Sequence, residues 1–270
     1  MATYERAVAG DPRLHDFLSL TDVALRRALE PAEGLFVAEG ETVIRRAVAR
    51  GFTLRAVLLT DRWLPSLRDL LEPIDVPVLV ADDALMAEVT GFAVHRGALA
   101  SVRRRPDRTV AEVIAGADRV VVLEGMVDPT NVGAVLRSAA ALGIDGVLLD
   151  PRCADPLYRR AVRVSMGSAL DLPYARVAPW PGGLEEVRAA GLTLLALTPD
   201  PAAHDLAALP AAAARRCALL LGTEGPGLSR TALAAADRRV RIPMQGGVDS
   251  LNVGAAAAVA FWAVTRGPDR

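Results

Sequence analysis

Three glycine-rich turns gather the residues best able to do chemistry. In Glu124–Gly125–Met126–Val127–Asp128–Pro129–Thr130–Asn131–Val132–Gly133 a strand-like run gives way to a helical one. That helix presents Arg137 about one and a half turns after Asn131. LLLGTEGPGLS (219–229) sets Glu224 among Gly222, Gly225 and Gly227, and IPMQGGVDSLNVG (242–254) places Ser250 and Asn252 before the last helix. A guanidinium can hold a phosphate or a developing oxyanion. A carboxylate in a glycine-rich loop suits a held ligand or a backbone clamp, and an amide and a hydroxyl can orient what is bound. Plainer roles fit the same residues. Asn131 and Ser250 are common helix N-cap types, the glycines are ordinary turn formers, and Arg137 suits a surface or interface salt bridge.

Several chemistries are excluded. GTEGPG runs G-x-x-G-x-G rather than G-x-G-x-x-G and lies late in the chain, and a Walker A loop needs a lysine that the sequence lacks. There is no G-x-S-x-G elbow. Cys153 and Cys217, with no Cys-x-x-Cys and only three histidines, give neither a disulfide framework nor a zinc-ligand set. No metal is assigned.

The turns sit in an α/β rhythm. The first hundred residues read as helix ALRRALE, strand LFVAE, helix ETVIRRAVAR closed by Gly51, strand LRAVLLT, helix LPSLRDLLE, strand PVLVA, helix DDALMAEV and a strand near GALASV. SVRRRPDRT (101–109) is the linker candidate. A second series follows: strand 119–124, helix 131–142, strand 146–150, a helix within 156–166, helix LEEVRAAG, strands 192–198 and 217–222, helix SRTALAAA, the short apolar RVRIPM and the closing helix LNVGAAAAVAFWAVTR. Its near-continuous apolar strands predict a parallel sheet covered on both faces. AALPAAAARR reads as helix or loop filler.

With 270 residues, 52% of them hydrophobic, the chain can bury a real core. No apolar run is long enough for a membrane span, and MATYERAVAGDPR lacks the apolar stretch of a signal peptide, so the expected location is cytoplasmic. A net charge of −1 means that any nucleic-acid role needs a local basic surface. All 31 basic residues are arginine, which fits genomic base bias and also suits bidentate phosphate contact.

Taken together, DPTNVGAVLRSAAALG, LLLGTEGPGLS and IPMQGGVDSLNVGAAAAV resemble, in order and spacing, the three signature motifs of the SpoU/TrmH family of RNA ribose 2′-O-methyltransferases. The resemblance covers roughly 119–266. More loosely, LFVAEGETVIRRAVARG and HRGALASV are similar to the small α/β substrate-binding module that many such enzymes carry. The implied architecture is α/β throughout: an N-terminal RNA substrate-binding domain over 1–105, and over 106–270 a methyltransferase domain whose parallel sheet closes in a trefoil knot. The resemblance implies S-adenosylmethionine as cofactor, held by Leu197, Thr198, Gly222, Thr223, Glu224, Gly225, Ile242, Met244, Leu251 and Asn252. It implies catalytic roles for Asn131, Arg137, Glu224, Ser250 and Asn252, ribosomal or transfer RNA as substrate, and a homodimer. Gly254 stands where relatives often have serine, and Pro129 and Thr130 also depart from the common first motif.

Arginine, with a pKa above about 12, is a poor base. Arg137 is therefore expected to grip the phosphate beside the target ribose and to stabilise the 2′-oxyanion. Arg103, Arg104, Arg105 and Arg108 are candidate RNA-phosphate contacts or, equally, a solvated linker. Phe261 and Trp262 suit a dimer face or a monomer core. The rival readings are a catalytically silent RNA-binding protein of the same fold, a dinucleotide-dependent oxidoreductase lacking its usual early glycine motif, and ribosomal RNA methylation that confers antibiotic resistance.

Overall fold

The computed structural model describes residues 1–94 and 97–266. His95 and Arg96 of the HRGALASV stretch lie outside them. The chain divides into two compact units, Met1–Pro106 with Leu157–Leu170, and Asp107–Pro156 with the chain from Asp171 onward.

The first unit holds strands β1 (Thr3–Arg6), β2 (Leu35–Glu39), β3 (Leu54–Thr60), β4 (Pro77–Ala81) and β5 (Ala98–Arg103), in the order β1-β4-β3-β5-β2. β1, β4 and β3 run parallel, and β5 is antiparallel to both β3 and β2. Phe17, Leu58, Leu79, Met86 and Leu99 build one of its cores. β1 has no apolar alternation, since all four residues of its TYER are exposed, which is why pattern alone does not announce it.

The division at 106/107 lies one residue from the expected boundary. Leu157–Leu170, expected to belong to the C-terminal domain, groups instead with the first unit. Charge satisfaction supplies a reason. Glu39, 3% exposed at the end of β2, accepts hydrogen bonds from Arg159 and Arg163 of the helix Arg159–Val164. The Arg159 guanidinium also stacks 4.8 Å from the Phe92 ring centre. A buried carboxylate needs such partners, and separation along the chain does not reveal them.

The second unit is built on β6 (Arg119–Glu124), β7 (Gly146–Leu149), β8 (Tyr174–Arg176), β9 (Thr193–Leu197), β10 (His204–Asp205), β11 (Cys217–Gly222) and β12 (Arg238–Arg241). Every pairing is parallel, in the order β10-β12-β9-β11-β6-β7-β8. All six residues of β6 are buried, as are five of the six in β11, as expected of strands covered on both faces. The tripeptide β8 and dipeptide β10 are too short to carry a period. Val110–Ile114, just past the expected linker and assigned to no element from the sequence, is helical, and its Thr109–Glu112 capping box is the signal that marks it.

Two helices frame the turns. Pro129–Leu142 starts two residues earlier than expected. Asp128 is its N-cap and accepts from the Thr130 N–H, with Pro129 at the first position and left-handed Gly143 ending it. Val253–Thr265 packs against it. At that crossing a Cβ on Gly254 would fall 3.0 Å from the Ala134 Cβ, so glycine here permits close helix approach. At the far end, buried Arg119 donates to the carbonyls of Ala214 and Val264, placing a cation at the carbonyl end of the last helix.

Candidate functional site

The strand order explains why turns distant in sequence converge. β12, β9, β11 and β6 are consecutive neighbours, so their carboxyl ends open side by side. Ligands of parallel α/β sheets gather at such ends. A cavity of about 350 Å³ lies there, walled by 197–199 after β9, 221–227 at the end of β11, and 242–256 between β12 and the last helix. That volume is within the range of small-molecule sites.

All ten residues expected to hold the cofactor line this cavity: Leu197, Thr198, Gly222, Thr223, Glu224, Gly225, Ile242, Met244, Leu251 and Asn252. Ser250 joins them. Pro199, Leu221, Gly227, Asp249, Val253 and Ala256 also line it and were not assigned to the site from the sequence, although each lies within four residues of one that was. Asn131 and Arg137 are not on the wall.

The loop after β11 has a shape only glycine allows. A Cβ on Gly222 would fall 2.2 Å from the Gly227 carbonyl carbon and 2.3 Å from the Leu228 nitrogen. The Gly227 N–H closes the turn on the Thr223 carbonyl at 3.0 Å, and Gly225 and Gly227 take φ of +84° and +68°. The third turn is tied to this loop through Asn252, whose Nδ2 donates to Glu224 Oε1 at 2.6 Å. Asn252 Oδ1 accepts from the N–H groups of Gly254 and Ala255. Asn252 is thus the N-cap of the last helix, and Asp128 that of the first, so neither Asn131 nor Ser250 fills the capping role their residue types suggested. Asn252→Ala is expected to lower stability by about 1 kcal/mol through the lost cap and to weaken cofactor binding several-fold through the freed Glu224 loop. Thermal melts and titration calorimetry measure the two effects separately.

Arg137 is exposed on the helix Pro129–Leu142 and, among the described residues, has no hydrogen-bond or ion-pair partner. Asn131, Ala134 and Arg137 follow at intervals of three, the spacing that keeps residues near one helix face, and Ala134 is where Gly254 packs. Beside the first turn, buried Asp150 anchors Arg152 and Cys153 through the backbone N–H of each. Burial pushes the Asp150 carboxyl up, but hydrogen bonds from Cys153, the Gly125 backbone and Arg152 outweigh it and hold the pKa below the usual carboxylate range. The Cys153 thiol is pushed up to about 12, first by burial and then by Asp150. Burial likewise lifts Cys217 to about 12. Neither thiol is a nucleophile near neutral pH.

Of the four candidate RNA arginines, two are engaged within the first unit. Arg104 donates to the Leu35 carbonyl. Arg105 donates to the Arg50 carbonyl and stacks 4.2 Å from the Phe52 ring centre. Arg103, inside β5 rather than in a linker, and Arg108 are exposed. Phe261 is fully buried, whereas Trp262 is 54% and Val259 43% exposed. Among the described residues, no group of three or more His, Cys, Asp and Glu side chains could hold a metal, and no helix is long and apolar enough to cross a membrane.

Comparison with known proteins places this geometry in context. Residues 118–262 match the SpoU rRNA Methylase family. An uncharacterized tRNA/rRNA methyltransferase of Mycobacterium tuberculosis is 49% identical over 257 residues, 95% of this chain and 89% of the relative. The 23S rRNA (guanosine-2′-O-)-methyltransferase RlmB of Escherichia coli is 30% identical over 211 residues, 76% of this chain and 86% of RlmB. Among solved structures, the SpoU methyltransferase AviRb of Streptomyces viridochromogenes with bound S-adenosylmethionine is similar at a TM-score of 0.79 and 27% identity, covering 95% of this chain and 97% of AviRb.

Proposed function

Because the chain belongs to the SpoU rRNA methylase family, we propose that the cavity at the ends of β9, β11 and β12 is where it binds S-adenosylmethionine in order to methylate a ribose 2′-hydroxyl of ribosomal or transfer RNA. The protein is an S-adenosylmethionine-dependent RNA (ribose-2′-O)-methyltransferase. One observation carries the siting of that activity: residues from three distant turns meet around one cavity at adjacent parallel strand ends.

The cavity suits the cofactor. Leu197, Ile242, Met244 and Leu251 offer apolar wall, while the loop from Gly222 to Gly227 offers backbone N–H and carbonyl groups to a nucleoside or an amino-acid group. When bound, S-adenosylmethionine supplies an electrophilic methyl group on a sulfonium. The chain's residues must then align the 2′-oxygen, exclude water and deal with the hydroxyl proton.

Arg137, a guanidinium with no partner among the described residues, grips the phosphate next to the target ribose and stabilises negative charge on the 2′-oxygen. It is not the base. The 2′-hydroxyl proton would leave to that phosphate or to solvent. Asn131 and Ser250 orient the ribose or Arg137, and Glu224 and Asn252 hold the two loops together. Because Arg137 lies off the cavity wall of its own chain, we place the complete site at a homodimer interface, with exposed Trp262 and Val259 of the last helix in the contact. The same reading has the C-terminal segment threaded through a loop as a trefoil knot, the first unit with its Arg103, and Arg108 just beyond it, engaging RNA, and the work done in the cytoplasm.

The direct test supplies S-adenosylmethionine with a labelled methyl group and total RNA from cells lacking the protein. Label in 2′-O-methylribose is the expected result. Tight cofactor binding without label in any RNA, including that of assembling ribosomal particles, would instead indicate a binding protein of the same fold.

A further inference from the structure

Glu124 closes β6 with only 2% of its surface exposed, yet it lines no part of the cavity. A carboxylate this deeply buried is costly unless its oxygens are satisfied, and both are. Oε1 accepts the indole N–H of Trp180 at 2.8 Å, and Oε2 accepts the backbone N–H of Ser229 at 2.8 Å. The Arg152 guanidinium stands 3.8 Å from Oε1.

What these partners hold is the root of the cofactor loop. Ser229 ends that loop and, as N-cap, starts the helix Arg230–Ala235 by accepting from the Ala232 N–H. Gly222, where the loop begins, is the register partner of Glu124 in the β11–β6 pairing. One residue therefore grips both ends of 222–229, its backbone row at the start and its carboxylate at the finish. The loop between is crowded enough that a Cβ on Gly222 would strike the backbone of Gly227 and Leu228.

We propose that Glu124 is a positioning residue for cofactor binding: by accepting from the Ser229 N–H through Oε2, its other oxygen being satisfied by Trp180, it fixes the 222–229 loop in the shape that receives S-adenosylmethionine. The proposal rests on assigning the cavity to that cofactor. It has a specific chemical signature. Two donors converge on one side chain, and a carboxylate can accept from both, whereas the amide of glutamine offers one acceptor oxygen and must turn its NH₂ toward the other donor. In Glu124→Gln the oxygen faces either Ser229 or Trp180, and the opposed donors strain the loop root. Removing the indole donor with Trp180→Phe frees the amide oxygen to serve Ser229.

The experiment is calorimetric titration of the full chain with S-adenosylhomocysteine, well below the melting temperature, for wild type, E124Q, W180F and E124Q/W180F. E124Q is expected to bind about tenfold more weakly, W180F within about threefold of wild type, and the double variant close to W180F. In turnover assays the loss in E124Q should fall on KM for S-adenosylmethionine, with kcat at saturation largely kept. Unchanged affinity in E124Q would overturn the proposal, as would a lowered melting temperature with a binding loss that W180F does not relieve. Failure of the wild type to bind S-adenosylhomocysteine would overturn the cofactor assignment itself, and the positioning role with it.

Discussion

Replacing Arg137 with alanine is expected to slow methyl transfer by about two to three orders of magnitude while leaving cofactor affinity and melting temperature at wild-type values. The separation follows from where the side chain sits. Arg137 is exposed and, among the described residues, has no partner, so its loss strands no buried group and opens no cavity. It is also absent from the cavity wall, so binding of S-adenosylhomocysteine has no reason to change. On the proposed mechanism only the reacting ribose and its phosphate depend on it. Arg137→Lys keeps the charge but loses the planar fork, and should recover a small part of the rate. Single-turnover rates with saturating RNA and S-adenosylmethionine, alongside calorimetry, read both quantities. A rate within threefold of wild type in the alanine variant would remove Arg137 from the chemistry.

Gly222→Ala is expected to do the opposite, costing cofactor affinity at least about a hundredfold. The added methyl group would lie 2.2–2.5 Å from backbone atoms of Gly227 and Leu228. No rotamer change can relieve a clash with backbone, so the loop must open at the position that β11 and β6 hold in register. Gly225→Ala is the control, because the space around its would-be Cβ is empty and the whole cost is a left-handed backbone at φ +84°, on the order of 1 kcal/mol. Hundredfold loss in the first variant and a loss below about tenfold in the second would identify steric closure of the loop as the cause. Equal losses in the two would show that general rigidity matters more.

The sequence carried the second unit well because its elements are long and apolar. β6, β7, β9 and β11 lie where near-continuous hydrophobic runs predict strands, and the residues singled out in the second and third turns all meet at one cavity. What escaped was whatever depends on partners far along the chain. The edge strands β1, β8 and β10 are short or wholly polar, so their hydrogen-bond register, not a hydrophobic period, defines them. Leu157–Leu170 belongs with the first unit because Glu39 needs Arg159 and Arg163. Arg105 reads as a free cation in RRRPDR and turns out to cover Phe52. Residue types alone do not say which asparagine caps a helix. Asn252 does and Asn131 does not, because Asp128 already occupies the cap before Pro129.

The placement of β11 between β6 and β9 also governs when the site can come into being during synthesis. Arg119 of β6 pairs with Cys217 of β11, so β6 waits for its central neighbour while the intervening chain is made, on the order of 5–20 s at ordinary elongation rates. Through that interval the edge of β6 that β11 will cover stays open, a nascent sheet with its middle missing, and such non-local pairing folds slowly. The floor of the proposed cofactor site is thus among the last parts of the molecule to form, and a ribosome stalled before Cys217 would hold a chain with a finished first sheet and without the β11 turn that this site needs.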